Sequence, residues 1–262
     1  MVRYTVIYMT ALLLGAFFVL GAITASFIGV LVVRLNTGQS FLTGRSHCDA
    51  CDTPLVPLSL IPILSFILSM GRARCCGARL SIVAPLTEML LGTLFVLAYL
   101  TLGFTNALLG MLLSISLLLA LVLYDLVHQI LPPSLLYVFV ATSAVTGFLN
   151  APSTIAFLET LLIAFLIALS LAAVHFFSRG RAMGLADAPL VFALSLLVGS
   201  AAFSGFIFSF WIGAVVGIAV LLKRPHGSRM GVEVPFAPFL AAGFLLAYFT
   251  QWNPFIFAVA SH

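Results

Sequence analysis

The stretch from Ala107 to Asp125, ALLGMLLSISLLLALVLYD, decides the fold, because 18 apolar or small residues lead without a break into one acidic residue. A helix of about 20 apolar residues spans the hydrocarbon core of a bilayer. Comparable apolar runs recur at 6–33, 83–103, 134–149, 155–177, 188–203, 207–222 and 234–250. The sequence therefore predicts an all-α polytopic membrane protein with about eight transmembrane helices.

Charge is scarce along the whole chain. Only 7% of the 262 residues are charged and 63% are hydrophobic, whereas charged residues make up about a quarter of a soluble domain. Eleven basic residues offset by seven acidic ones cannot form the basic face that nucleic-acid binding needs. We therefore exclude an ordinary soluble protein and a nucleic-acid partner, and expect a lipid bilayer around most of the chain.

The basic residues fall on one side of this predicted bilayer. Eight alternating spans leave only Arg3 on the far side and ten basic residues on the near side: Arg34, Arg45, Arg72, Arg74, Arg79, Arg179, Arg181, Lys223, Arg224 and Arg229. The breaks near 104–106, 150–154 and 204–206 carry none, as expected of translocated loops. We predict a first transmembrane helix at 1–34, a cytoplasmic Cys-containing domain at 35–82 and a membrane-embedded domain at 83–262.

Two acidic residues lie at matching depths in these spans. Asp125 ends one apolar run and Asp187 begins another, both at predicted cytoplasmic ends. Each could reach the headgroup region, and Asp187 could cap its helix. A close pair of carboxylates shares one proton, so one can activate water while the other polarises a carbonyl, which is the chemistry of peptide hydrolysis. A paired-Asp ion or proton site of a small transporter or channel is the alternative.

A series of motifs follows one order along the chain: Ala25-Ser26-Phe27-Ile28-Gly29-Val30, Arg45 to Cys51, Ile61 to Ser65, Gly71-Arg72, Cys76-Gly77, Pro85 to Glu88, Asp125 with Pro132, Gly184 to Asp187, and Pro235 to Leu240. In this order they resemble the motifs of the type IV prepilin peptidase family, whose members are intramembrane aspartic proteases. This resemblance implies that Asp125 and Asp187 are the catalytic pair. It also implies that the domain at 83–262 is an aspartic peptidase domain, in the inner membrane and with the active site facing the cytoplasm.

The chain departs from the family pattern at four positions. Ala186 replaces a motif glycine, Pro189 stands where a lysine is usual, Pro133 where a further aspartate is usual, and Gly29 where an asparagine is usual. No departure removes either carboxylate. They leave open altered specificity or a non-catalytic partner of pilus or secretion assembly.

The four cysteines suggest a metal site. Cys48 and Cys51 have the Cys-x-x-Cys spacing of half a structural zinc site. By resemblance Cys76 supplies a third ligand, while Ala73 occupies the place of the family's other cysteine. Cys75 or His47 is left as the fourth ligand, although adjacent thiolates seldom point at one ion. Zinc and free reduced thiols remain open at this point.

The resemblance implies a function for the whole chain. It predicts a membrane aspartic endopeptidase that removes the leader peptide of a prepilin or pseudopilin, with methylation of the new N-terminus by S-adenosylmethionine left open.

Glu88 matches a family glutamate, which either lines a site or pairs with a loop arginine. We further expect His128 in a loop, His175 snorkelling to the interface, and Glu159 bonded to a neighbouring helix.

Overall fold

The computed structural model describes residues 2–35, 48, 50–51, 53–54, 62–181, 183–222 and 235–254. Within these ranges the regular secondary structure is helical, and an isolated antiparallel bridge joins Arg72 and Arg79. The helices are α1 Val2–Arg34, α2 Leu64–Leu68, α3 Val83–Leu102, α4 Asn106–His128, α5 Pro133–Asn150, α6 Thr154–Ser178, α7 Asp187–Val198, α8 Ala202–Leu222 and α9 Ala237–Thr250. The all-α prediction is confirmed.

Six helical stretches in the described residues are long and apolar enough to cross a membrane. They are 8–34, 83–102, 106–128, 133–150, 154–178 and 187–222, the last containing α7, a 3-10 turn at Gly199–Ala201 and α8. Helix α9 has 14 residues, or about 21 Å at 1.5 Å per residue, and is shorter than the hydrocarbon core.

The break between α7 and α8 lies earlier than the sequence predicted. It falls at Gly199, whose φ of 63° is the left-handed conformation that glycine adopts without steric cost. The predicted break at 204–206 is wrong, since these residues are helical within α8. Gly205 faces Phe244 of α9 so closely that an added Cβ would lie 2.9 Å from the Phe244 Cα. This glycine therefore serves close helix packing rather than chain reversal.

The chain forms two compact units, divided between Phe104 and Thr105. In the first unit α1 packs against α3 through two glycines. A Cβ at Gly21 would lie 2.7 Å from the Leu91 carbonyl oxygen, and one at Gly92 would meet Phe18 at 2.9 Å. Small residues at such a crossing let two membrane helices approach backbone to backbone.

The second unit is built around α7. This helix packs against α5, α6, α8 and α9, and Leu190, Val191 and Leu194 are fully buried. Leucine and phenylalanine side chains on the outer helices remain exposed, as suits a surface facing lipid. The central position of α7 matters for the site because Asp187 is its first residue.

Candidate active site

Asp125 lies in the last turn of α4 and is only 6% exposed. Its Oδ2 accepts a hydrogen bond from the backbone N–H of Ala237, at 3.3 Å. Helix α4 ends three residues later, where Gln129 adopts the left-handed conformation before Pro132 and Pro133 begin the next helix. The sequence thus ends the helix one turn beyond a buried carboxylate.

Asp187 is the first residue of α7 and is 8% exposed. The helix N-cap is Ala186, and the carboxylate of Asp187 takes a hydrogen bond from the backbone of Gly184. The Asp187 N–H returns to the Gly184 carbonyl at 3.3 Å, which closes a tight turn. The sequence left open that Asp187 serves only to cap its helix. In the structure Ala186 is the N-cap residue, and the Asp187 carboxylate faces the Gly184 backbone instead.

The two carboxylates line one cavity of about 780 Å³, and the charge of Asp125 acts on Asp187. Polar side chains of Gln129 and Arg181 and apolar ones of Phe210 and Phe236 share its wall. The start of α7 contributes Asp187, so the positive end of that helix dipole faces the cavity. The structure therefore brings together the two aspartates that the sequence singled out.

The start of α9 is a part of the site that the sequence did not assign. Ala237 is its first residue, is fully buried, and donates to Asp125 across 112 positions of the chain. Pro238 follows and has no N–H, so Ala237 offers the donor at this end of the helix. The signal in the sequence was a small residue between two prolines, at Pro235 and Pro238, ahead of an apolar run.

All four cysteines come together in the first unit. Their Sγ atoms lie within 4.8 Å of one another, with Cys51 and Cys75 3.3 Å apart, and Cys48 and Cys76 3.9 Å apart. A tetrahedron of Zn–S bonds of about 2.3 Å has edges of roughly 3.8 Å, so the thiols fit such an ion. Cys75 and Cys76, whose adjacency argued against a shared ion, both reach the cluster at 3.9 Å from each other. His47, the other fourth ligand considered, lies outside the described residues.

Two short turns hold these thiols. The Cys48 N–H bonds the Thr53 carbonyl at 2.9 Å, and the Ala73 N–H bonds the Ala78 carbonyl at 2.7 Å. Thr53 bonds the Cys51 thiol and lowers its pKa to about 6, whereas the bond with Cys51 raises the pKa of Cys75 to about 12. The Thr53 contact thus shifts Cys51 towards the thiolate, the form that binds a metal ion.

Comparison with known proteins leads to one family. The family described as Bacterial Peptidase A24 N-terminal domain matches residues 19–102. A prepilin leader peptidase/N-methyltransferase of Bacillus subtilis is 32% identical over 90% of this chain and 94% of the Bacillus protein. The chain belongs to the prepilin peptidase family.

Two further relatives of this family differ more in length or sequence. The prepilin leader peptidase/N-methyltransferase of Myxococcus xanthus is 36% identical over 78% of this chain and 62% of its own length. The type 4 prepilin-like proteins leader peptide-processing enzyme of Escherichia coli is 29% identical over 79% of this chain and 76% of its own length. No solved structure matches the chain. Prepilin peptidase membership and the apolar helices make this chain a membrane protein.

Glu88 of this prepilin peptidase anchors a loop. It is 6% exposed, accepts the backbone N–H of Ile63 at 2.6 Å, and bonds the Ser26 hydroxyl. Ile63 has a φ of 58°, a conformation that costs a β-branched residue free energy. Glu88 thus ties the turn before α2 to α1 and α3. The sequence offered a loop arginine as a partner for Glu88, but among the described residues its carboxylate binds the Ile63 N–H instead.

We predict that Glu88→Ala frees this turn. A part-buried N–H that loses its charged partner costs about 1–3 kcal/mol, so local opening becomes roughly tenfold to a hundredfold more frequent. Trypsin should then cut after the exposed Arg72 and Arg74 faster by that factor, as followed by mass spectrometry in detergent. Glu88→Gln keeps an acceptor oxygen and should resist trypsin nearly as wild type does. Equal cleavage of wild type and Glu88→Ala contradicts the anchoring role.

Three expectations for single residues were wrong. His128 is the last residue of α4, with its ring 4.3 Å from that of Tyr124, and is not in a loop. Glu159 is exposed on α6 beside a separate cavity of about 300 Å³, and bonds no neighbouring helix among the described residues. His175 is half-buried and bonds the Met183 carbonyl rather than reaching outward.

Proposed function

We propose that this prepilin peptidase family member is a membrane aspartic endopeptidase that removes the leader peptide of type IV prepilin-like proteins. The observation that carries the proposal is the pair of buried carboxylates, Asp125 and Asp187, on one open cavity. The names of its relatives supply the substrate class, a prepilin or pseudopilin. Cleavage takes place where a leader leaves the membrane, because the pair lies at helix ends.

The cavity supports a general acid–base reaction with water as the nucleophile. One carboxylate takes a proton from water as the water oxygen attacks the scissile carbonyl carbon, and the other gives its proton to the carbonyl oxygen. Collapse of the tetrahedral intermediate breaks the C–N bond, and the leaving amine takes a proton from the pair. The carboxylates act as one unit, so neither is assigned a fixed role.

The backbone donors keep both carboxylates in place during this exchange. Ala237 holds Asp125 and Gly184 holds Asp187, each from the start of a helix or the turn before it. Such fixed donors need no rearrangement as charge moves between the two acids. The enzyme thus uses α9 as a support for one half of the pair.

Removal of the Ala237 donor should slow cleavage without removing either acid. Ala237→Pro deletes this one N–H, and thermal unfolding in detergent checks that the variant folds, because Phe236 before it has a helical ψ of −24° that a following proline disfavours. A hydrogen bond to a charged group contributes about 1.5–3 kcal/mol, so kcat should fall roughly tenfold to a hundredfold. Ala237→Gly keeps the N–H and should stay within about threefold of wild type in the same prepilin cleavage assay. Equal cleavage rates for the proline and glycine variants contradict the proposal that the Ala237 N–H holds Asp125 in place.

The topology proposed for the membrane follows from the shared cavity. Asp125 ends α4, Asp187 begins α7 and Phe236 precedes α9, and all three line that cavity. These three residues therefore lie on one side of the membrane, and an even number of crossings separates each from the next. This supports the proposal that α5 and α6 cross the membrane as one pair, and α7 and α8 as another. With α1, α3, α4 and the short α9, the described helices supply eight proposed crossings. The short α7 suits this topology because its neighbours shield it from lipid.

The orientation proposed is the one given by the basic residues. The inner membrane holds the chain with the Cys-containing domain at 35–82 and the active site on the cytoplasmic side. The membrane-embedded aspartic peptidase domain is 83–262, after the first transmembrane helix at 1–34.

The cysteine cluster is proposed as a structural zinc site with Cys48, Cys51, Cys75 and Cys76 as ligands. Four thiolates at tetrahedral separations close the coordination sphere, which leaves zinc a structural role. Methylation of the new N-terminus by S-adenosylmethionine is proposed from the names of the relatives.

The test of the function is a cleavage assay. Purified protein in detergent is incubated with a prepilin that carries a basic leader, and mass spectrometry follows the free leader and the shortened pilin. One cut at the junction of leader and apolar helix is expected. Absence of cleavage with several prepilins contradicts the proposal, and proton flux through the protein in liposomes then identifies the transporter alternative.

A further inference from the structure

A histidine outside the cavity holds the loop that leads to Asp187. His175 lies in the last turn of α6, and its Nδ1 is 2.8 Å from the Met183 carbonyl oxygen. A carbonyl oxygen only accepts hydrogen bonds, so Nδ1 carries the proton and donates. His175 therefore contacts the backbone four residues before Asp187.

The chain folds back over the histidine ring. Arg179 and Gly180 end α6 with φ of 53° and 75°, and the Gly180 N–H bonds the His175 carbonyl at 2.9 Å. A Cβ at Gly180 would lie 3.3 Å from the ring carbon Cε1, so the Gly180 backbone packs closely against the His175 ring. This sharp turn brings the segment after α6 within reach of Nδ1.

One peptide unit then connects His175 to Asp187. The carbonyl of Met183 and the N–H of Gly184 belong to the same planar trans peptide and point in opposite directions. The carbonyl accepts from His175, and the Gly184 backbone faces the Asp187 carboxylate, whose Oδ2 lies 3.5 Å from the position that a Cβ on Gly184 would take. A rotation of this peptide plane that breaks the contact on one side therefore also displaces the contact on the other side.

We infer that His175 is a positioning residue for the proposed peptidase reaction, which orients the Met183–Gly184 peptide so that its N–H holds the Asp187 carboxylate. The inference rests on the proposed function for its catalytic consequence. Its structural half, the order of the loop from Met183 to Asp187, stands on the hydrogen bonds alone. His175 itself does not line the cavity and acts through the peptide.

The test compares two replacements of similar size. His175→Asn places its Nδ2 where Nδ1 lies, because both atoms are bonded to Cγ, whereas His175→Leu fills the same space without a donor. We expect His175→Leu to lower kcat roughly tenfold to a hundredfold, the effect of a displaced catalytic group, with KM changed less than about threefold. His175→Asn should recover most of that loss. Ser170→Ala, on the same helix, removes a bond to the Ile167 carbonyl and should match wild type.

A second measurement uses no substrate. Hydrogen–deuterium exchange of peptides covering 181–188 should be faster in His175→Leu and near wild type in His175→Asn. A kcat for His175→Leu equal to wild type, an Asn variant as slow as the Leu variant, or unchanged exchange in His175→Leu overturns the inference. If the wild type cleaves no prepilin, the proposed function fails, and the exchange result still decides whether His175 orders the loop.

Discussion

Asp125→Asn and Asp187→Asn are each expected to lower kcat for prepilin cleavage by roughly 10²- to 10⁴-fold. An amide neither takes a proton from water nor gives one to a carbonyl at neutral pH, and acid–base catalysis is worth about this much. The amide oxygen can still accept from Ala237 or Gly184, so the folded structure should persist. Initial rates with one prepilin substrate measure the loss, and thermal unfolding in detergent shows that the variants fold.

The double variant adds a sharper requirement. Because the two carboxylates share one reaction, removing both should cost no more than removing either. Glu159→Gln is the matched control, since this exposed carboxylate lies on α6 beside the other cavity. Its rate should equal that of wild type. A single variant that retains more than about a tenth of the activity would sink the assignment of the pair.

Purified protein should contain about one zinc ion per chain, and Cys48→Ser should lose it. Structural zinc sites bind with apparent free energies of about 10–16 kcal/mol at neutral pH, so removal of a ligand also unfolds the turns that the ion holds. Cys48 is the buried member of the cluster, which makes its loss the most damaging. Elemental analysis gives the zinc content, and trypsin cleavage after Arg72 and Arg74 reports the unfolding.

Variants of the adjacent cysteines test the arrangement in detail. If both complete the tetrahedron, Cys75→Ser and Cys76→Ser should each weaken zinc retention under competition with a chelator. Ser69→Ala removes a nearby side-chain bond to the Phe66 carbonyl and should retain zinc as wild type does. Protein grown with ample zinc that nevertheless carries less than about a tenth of an ion per chain would contradict the site.

Local patterns in the sequence were enough for the helices and for the choice of the two aspartates. An apolar run of membrane length forms a helix when it lies in lipid, and Asp125 and Asp187 stand out because they are two acids at run ends on the same predicted face. Asp125 and Asp187 could therefore be selected before any coordinates. The start of α8 was misplaced because Gly199 and Gly205 look alike in sequence, while only Gly199 turns the chain.

The amino-acid sequence by itself determined that the chain is helical, belongs in a membrane and carries two exceptional acids, because these properties depend on composition and on residues close in sequence. Only the tertiary structure decided what surrounds the acids. The Ala237 amide reaches Asp125 from a helix 112 positions away, and His175 reaches the backbone before Asp187 through a reversed loop. Backbone donors are present at nearly every residue, so no sequence pattern distinguishes the ones that the packing of α7 and α9 aims at a carboxylate.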